Sequence, residues 1–144
     1  MDRYLYFPQK PDRPRRAGRA RPSDWLVPAN PHYYDVEQDF TAAGTILWHQ
    51  RTRVHAGDFV YLYMGAPVSA IRYRCVVTDV DLPDDEREGK RVMRLRLLCR
   101  YDPSLFPLSR LRQHGIVGVR SARCVPYGLL CELERAAEHA EKVP

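Results

Sequence analysis

Three β-rich runs in the middle of the chain constrain its fold more than any other feature of the sequence. They occupy residues 59–64, 71–80 and 92–99. The second and third alternate apolar with polar side chains, as a strand with one buried face does. A Gly65-Ala66-Pro67 break separates the first two runs, and an acidic, polar segment over residues 82–90 precedes the third. We therefore predict a hairpin, an exposed loop and at least three neighbouring antiparallel strands.

Shorter segments around these runs predict further elements. Trp25-Leu26-Val27 indicates a short strand closed by Pro28, and residues 45–48 have strand-like character. Short helices are expected over residues 36–43 and 109–112, where the apolar spacing becomes helical.

An apolar stripe marks the end of the chain. Within residues 126–142, apolar side chains recur at helical spacing, at Leu129, Leu130, Leu133, Ala136 and Ala137. This spacing predicts an amphipathic helix. Short strands with short helices between them are typical of an α+β fold, here a small, partly open β-barrel of five to six mostly antiparallel strands with short flanking helices.

The positive charge is concentrated at the start of the chain. The 144 residues carry a net charge of +5, and residues 1–21 hold seven Lys or Arg against two Asp, so residues 22–144 are balanced. Four prolines within residues 8–23 favour a segment that buries little surface. We therefore divide the chain into a basic, Pro/Arg-rich strand and loop or arm over residues 1–23 and one domain over residues 24–144, a size that supports one core.

The sequence disfavours several classes of protein. No apolar stretch reaches the roughly 18 to 20 residues of a membrane helix, and Met1 is followed by Asp2 and Arg3 instead of the apolar core of a signal peptide. The four cysteines lack Cys-x-x-Cys spacing, the five histidines lack metal-ligand spacing, and no nucleophile elbow or phosphate loop is present. We expect a cytoplasmic, non-catalytic protein with reduced cysteines, no metal and no cofactor.

A series of motifs carries a family resemblance. In chain order they are Trp-x-x-Pro-x-Asn-Pro-x-Tyr (25–33), Trp48, Gly-Asp-x-Val-Tyr-x-Tyr (57–63), Val-Thr-Asp-Val (77–80) and Leu-x-x-Leu-Arg (108–112). This order resembles the EVE family of the PUA-like superfamily and, more distantly, the YTH readers and the PUA and ASCH domains. The resemblance covers residues 24–134 and implies a PUA-like barrel that binds nucleic acid.

The resemblance also implies a pocket for a base. Members of the superfamily are thought to hold one extruded base between aromatic walls, which points to Trp25, Tyr33, Trp48 and Tyr63. Extrusion costs a few kcal/mol and stacking returns about 1–3 kcal/mol per base, so two walls roughly balance the cost. Tyr33 and Tyr34 are adjacent and point differently, so at most one of them is expected to line the site. The alternative for both tryptophans is a place in the barrel core.

The edge of such a base needs polar partners. Asp35 is placed to accept a hydrogen bond from N4 of a cytosine, and Asn30 offers both a donor and an acceptor. A methyl group on the base would be selected by apolar contact, which is worth about 0.8 kcal/mol per carbon. Asp58, in contrast, follows Gly57 and is expected to serve a turn.

Basic and polar residues predict contacts with the nucleic-acid backbone. The candidates are Arg15, Arg16, His49, Gln50, Arg51, Arg53 and Arg72. Such side chains neutralise phosphates and position a strand without reading its sequence. The alternatives stay open: the N-terminal arm and the 49–53 segment are also compatible with solvated loops, and Arg72 with a solvated strand face.

These observations predict a non-catalytic reader that flips a C5-modified cytosine, such as 5-methylcytosine in DNA, into an aromatic cage. A first alternative is an RNA-binding PUA-like module. A second is an ASCH-like small nuclease or amidohydrolase, for which Asp35, His49 and Asp58 would have to converge. A lone reader would work with a separate nuclease in restriction, or with a regulatory partner.

Overall fold

The computed structural model describes residues 21–51 and 53–143. In chain order the elements are β1 (Asp24–Ala29), α1 (Val36–Ala43), β2 (Thr45–His49), β3 (Phe59–Met64), β4 (Ala70–Pro83), β5 (Arg91–Arg100), α2 (Leu108–Arg112), β6 (Arg123–Cys124) and α3 (Tyr127–His139). Most of the predicted N-terminal arm, including Arg15 and Arg16, lies outside the described residues.

The strands form one open, mixed sheet in the order β2-β5-β4-β3-β1-β6. Strands β3, β4 and β5 are antiparallel neighbours, which confirms the three central strands and the first hairpin. Among the described strands, one pair is parallel and joins β1 to β3, and the other pairs are antiparallel. Within the described residues β2 and β6 are the two edges, so the barrel does not close there. The predicted α+β architecture is confirmed.

The second central strand is longer than predicted. Strand β4 continues to Pro83, because Leu82 and Pro83 pair with the start of β5. Its register shifts three times against β5, and Asp81 in the last shifted stretch has a φ of 59°. An irregular register of this kind bends a strand, so the exposed loop is confined to residues 84–90.

Strand β1 passes through Pro28 instead of ending at it. The Ala29 carbonyl accepts from Gly65 after β3, whereas the Asp24 carbonyl accepts from Val125 after β6. Because backbone groups alternate in direction along a strand, Pro28 faces the β6 side. Strand β6 pairs only as far as Leu26, so the missing N–H of Pro28 breaks no ladder bond. The prediction that Pro28 closes the strand was wrong for this reason.

Apolar layers cover both faces of the curved sheet. One layer contains Val60, Leu62 and Leu95 from the strands and is covered by Val36 and Phe40 of α1. The other layer is covered by α2 and α3, with these buried residues from the two helices: Leu111, Leu129, Leu130, Leu133 and Ala137. Within the described residues, no helix is long and apolar enough to cross a membrane.

Asp24 at the start of β1 makes stability depend on pH. Partial burial, and then the charge of Glu134, raise the pKa of this carboxyl from its ordinary 3.8 to about 6, against the opposing effect of Arg74. Between about pH 4 and pH 6 the folded chain therefore holds a proton that the unfolded chain has lost. Stability falls as the pH rises through this window, and the full penalty remains above pH 6.

Replacing Asp24 with Asn is therefore expected to raise the free energy of unfolding at pH 7.5 by about 1 kcal/mol, after discounting for the solvent that screens this half-exposed group. The gain should vanish near pH 3, which lies below both pKa values, so that the carboxyl is protonated in both states. Urea denaturation at the two pH values measures this. An equal gain at both would show that the carboxylate's charge is not the cause.

Candidate nucleic-acid interface

A cavity of about 580 Å³ lies where the open sheet fails to close. One side is formed by the end of β2, with Trp48 and His49, and the other by residues 119–122, just before β6. The end of β1 and the Tyr63 end of β3 complete it. The cavity therefore joins the two edges of the sheet, which are distant from each other in the sequence.

Three rings form an aromatic wall. The Tyr34 and Trp48 ring centroids are 4.8 Å apart at 62°, an edge-to-face contact. His49 lies 6.0 Å from Trp48 at 28° and 6.0 Å from Tyr34 at 84°. Trp48 is only 8% exposed, so it supports the wall from the core, whereas Tyr34 is 38% exposed. A planar guest in the cavity would meet aromatic surface.

The remainder of the cavity surface combines apolar groups with donors that are unpaired within the described chain. Val27, Ala29, Met93, Val119 and Ala122 supply the apolar part. The polar part comes from Asn30, His32, Arg51, Arg120 and Ser121, and no Asp or Glu of the described chain lines the cavity. A site of this composition favours a ligand that carries hydrogen-bond acceptors.

The Asn30 side chain has a defined orientation. Its Oδ1 accepts from the His32 backbone N–H at 2.9 Å, which leaves Nδ2 as the group for a guest. Nδ2 has no hydrogen-bond partner within residues 21–51 and 53–143. Asn30 therefore offers a donor to the cavity, and its acceptor oxygen is already in use.

His49 is held largely neutral. Burial lowers the pKa of its imidazole, and the nearby charges of Arg87 and Arg51 lower it further. A neutral imidazole carries one donor and one acceptor. His49 can therefore contact a polar edge without adding a fixed charge at neutral pH.

Trp25 does not line the cavity. Its indole Nε1 donates to Asp58 Oδ2 at 3.0 Å, and Asp58 also accepts from the backbone N–H groups of Ser23 and His55, at 3.0 and 2.9 Å. Asp58 is fully buried. The aspartate thus serves its turn and also fixes Trp25 at the start of β1, so the two tryptophans do not face each other across one opening.

Of the three neighbouring residues 33–35, one lines the cavity and two do not. Tyr33 is 78% exposed and outside the cavity, whereas Tyr34 lines it. The Asp35 carboxylate accepts from the Gln38 backbone N–H at 3.1 Å and caps α1. Asp35 is not among the lining residues, so it supplies no acceptor for a cytosine amine there.

The predicted backbone contacts are also dispersed. Arg51 lines the cavity together with His49, while Gln50 and Arg53 line an adjoining hollow. Gln50 exchanges two hydrogen bonds with Asp81, at 2.9 and 2.7 Å. The Arg72 Nε donates to the Tyr101 carbonyl at 2.8 Å, away from the cavity.

Sequence reasoning missed part of the site. His32, Arg120 and Ser121 line the cavity but were not predicted to do so. Tyr34 lines it in place of Tyr33, the member of the tyrosine pair that was predicted. Residues 119–121 lie in an irregular segment with no periodic pattern. No local signal in that segment could have indicated that it lines a cavity together with Trp48.

The residues proposed for a catalytic alternative do not converge. Asp35 caps a helix, Asp58 is buried beneath Trp25, and His49 lines the cavity. Within the part of the chain that the structure describes, no group of three His, Cys, Asp or Glu is arranged to hold a metal ion.

Solved structures share this architecture. ASCH from Zymomonas mobilis superposes with a TM-score of 0.51 at 8% identity, over 85% of this chain and 99% of that chain. Rpa0253 from Rhodopseudomonas palustris gives a TM-score of 0.53 at 15% identity, over 79% and 94%. The chain has an ASCH-like fold.

The likeness to these ASCH structures is one of fold. Identities this low establish a common fold and nothing finer. No protein-family model matches the sequence, and no curated protein matches it either. Membership of the EVE family therefore stays a prediction.

Proposed function

We propose that this ASCH-like domain is a non-catalytic nucleic-acid reader that holds one extruded base in the cavity between β2 and residues 119–122. The observation that carries the proposal is an aromatic, largely apolar cavity that, among the described residues, has unpaired donors and no carboxylate. Its volume of about 580 Å³ falls in the usual range of roughly 300–1,000 Å³ for small-molecule sites. Stacking on the Tyr34 side would offset the cost of unstacking the base.

The donors favour a pyrimidine. The pairing edge of cytosine presents two acceptors, O2 and N3, and one amine, whereas that of guanine presents two donors and one acceptor. Asn30 Nδ2 and the Ser121 hydroxyl match the acceptors. Because Asp35 is absent from the cavity, the amine would bond to a backbone carbonyl of residues 119–121, none of which accepts a hydrogen bond within the described chain.

A C5 substituent would then contact the apolar surface. A methyl group in contact with Met93, Val119 or Ala122 gains about 0.8 kcal/mol, roughly a fourfold preference. We therefore place 5-methylcytosine in DNA first, in an EVE-like reader, with RNA as the alternative partner. A reader of this kind would work with a separate nuclease or regulatory protein.

Equilibrium binding to matched oligonucleotides tests the proposal. Fluorescence anisotropy at one stated salt concentration would compare duplexes with cytosine, 5-methylcytosine or 5-hydroxymethylcytosine at a single position, together with RNA of the same sequence. We expect a preference of about fourfold for the methylated duplex. Equal binding to every duplex would remove base reading, and a preference for RNA would select the alternative. Turnover of a nucleic-acid or amide substrate would contradict a non-catalytic role.

A further inference from the structure

Two polar hollows adjoin the cavity, and each shares residues with it. The first, of about 700 Å³, lies beyond the end of β2 beside the β4–β5 hairpin, and Arg51 lines both it and the cavity. The second, of about 750 Å³, is formed by the segment leading into β6, and Arg120 and Ser121 line both it and the cavity. An arginine therefore lies at each junction, one on the β2 side and one on the β6 side.

Both hollows are rich in cationic side chains. The first contains Arg51, Arg53, Lys90, Arg91 and one carboxylate, Asp81. That carboxylate is already hydrogen-bonded to Gln50 and paired with Arg91 at 3.4 Å.

The second hollow contains Arg120 and Arg123 and no carboxylate from the described chain. Within the described residues, Arg51, Arg53, Lys90, Arg120 and Arg123 form no ion pair. Residues 22–144 are neutral as a whole, so this grouping of unpaired cations around one cavity is a local feature.

An extruded base remains attached to its strand on both sides. A site that accepts the base must therefore accommodate a phosphate before it and a phosphate after it. The first hollow, the cavity and the second hollow adjoin one another in that order, and an arginine that is unpaired within the described chain lies at each junction. This arrangement meets the requirement. Contacts on only one side of the opening would leave one of the two adjacent phosphates without a counter-charge.

We propose that the three concavities form one continuous track for a nucleic-acid strand, with Arg51 and Arg120 each neutralising one phosphate next to the base in the cavity. This inference rests on the proposed function and adds the path of the backbone. The base preference resides in the cavity, and the salt-dependent affinity resides at the two arginines.

The slope of log affinity against log salt concentration measures the track. Each neutralised phosphate contributes about 0.9 to this slope for a duplex and about 0.7 for a single strand. Arg51→Ala and Arg120→Ala are each expected to lower it by about that amount, and the double variant by about twice as much. The ratio of affinities for methylated and unmodified DNA should stay unchanged, because phosphate contacts carry no sequence information.

Arg96→Ala is the matched control. Arg96 is exposed on β5, lines none of the three concavities and forms no ion pair within the described residues. The slope of log affinity against log salt concentration for Arg96→Ala should equal that of the native protein. Arg51→Lys and Arg120→Lys retain the charge and should restore most of the slope.

The outcomes separate this inference from the proposed function. If the slope is unchanged in both alanine variants, or falls in only one, while the native protein still prefers one base, the two-sided track is wrong and the reader stands. If the slope falls in Arg96→Ala as much as in the others, the contacts are diffuse and the track is overturned. If no oligonucleotide binds the native protein, both proposals fail.

Discussion

Replacing Tyr34 with Ala is expected to weaken binding of the preferred oligonucleotide by about 5- to 150-fold. This range corresponds to the roughly 1–3 kcal/mol that stacking on one aromatic side chain contributes. Tyr34 is the exposed member of the aromatic wall, in edge-to-face contact with Trp48 at 4.8 Å. The loss should appear in binding and should change the salt slope little, because the variant removes no charge.

Tyr33→Ala is a closely matched control. Tyr33 precedes Tyr34 directly, is 78% exposed and lies outside the cavity. Its removal should leave affinity within about twofold, consistent with the small effects of most surface substitutions. Equal losses in the two variants would argue against a base seated beside Tyr34, and so would unaltered binding by Tyr34→Ala.

Trp48 is less suitable for this test. The side chain is 8% exposed and belongs to the apolar layer that α1 covers. Truncating a buried tryptophan costs about 3–5 kcal/mol of stability through the cavity it leaves. A loss of binding by Trp48→Ala could therefore result either from unfolding or from the loss of a contact with the base. Tyr34 is half-exposed, so its truncation removes the contact with little effect on folding.

A large effect on stability is expected at Asp58. Replacing it with Ala should lower the free energy of unfolding by about 3–5 kcal/mol, since several N–H groups lose a charged acceptor in a buried setting. These donors include the backbone N–H groups of Ser23 and His55 and the Trp25 indole N–H. Asp58→Asn retains one oxygen acceptor and should lose less.

Urea denaturation at pH 7 measures the difference, with Asp79→Ala as the control. Asp79 also pairs with a cation, Arg94 at 2.8 Å, but both side chains are more than two-fifths exposed. Exposed pairs contribute about 0–1 kcal/mol. A loss below about 1 kcal/mol for Asp58→Ala would show that water replaces the aspartate at this turn.

The sequence identified the elements with the clearest periodic patterns. The alternation in residues 71–80 and 92–99 and the stripe in residues 126–142 depend on neighbours only a few positions apart, and each corresponds to an element. The Gly-Asp-x-Val-Tyr-x-Tyr motif over residues 57–63 correctly indicated a turn followed by a strand. Local patterns were sufficient because strands and helices repeat their apolar residues at fixed intervals.

The sequence did not determine which of two similar candidate residues lines the cavity. Tyr33 and Tyr34 have the same side chain and almost the same position, and only the turn after Asn30 determines which one lines the cavity. Trp25 and Trp48 both adjoin loop-like residues, but Asp58 binds the first and leaves only the second at the cavity. Asp35, which was predicted to accept from a cytosine amine, caps α1 instead.

Apolar periodicity by itself determined the fold class and its central strands. Among the residues that line the cavity, the family resemblance indicated Trp48 and Tyr63, and the polar or basic character of the side chains indicated Asn30, His49 and Arg51. The tertiary structure alone decided that β2 and the segment before β6 form opposite sides of one opening, which brings Arg120 and Ser121 to Trp48. The physical reason is that this opening is a gap between two sheet edges. Its position follows from how the whole sheet curves, and no stretch of neighbouring residues specifies that curvature.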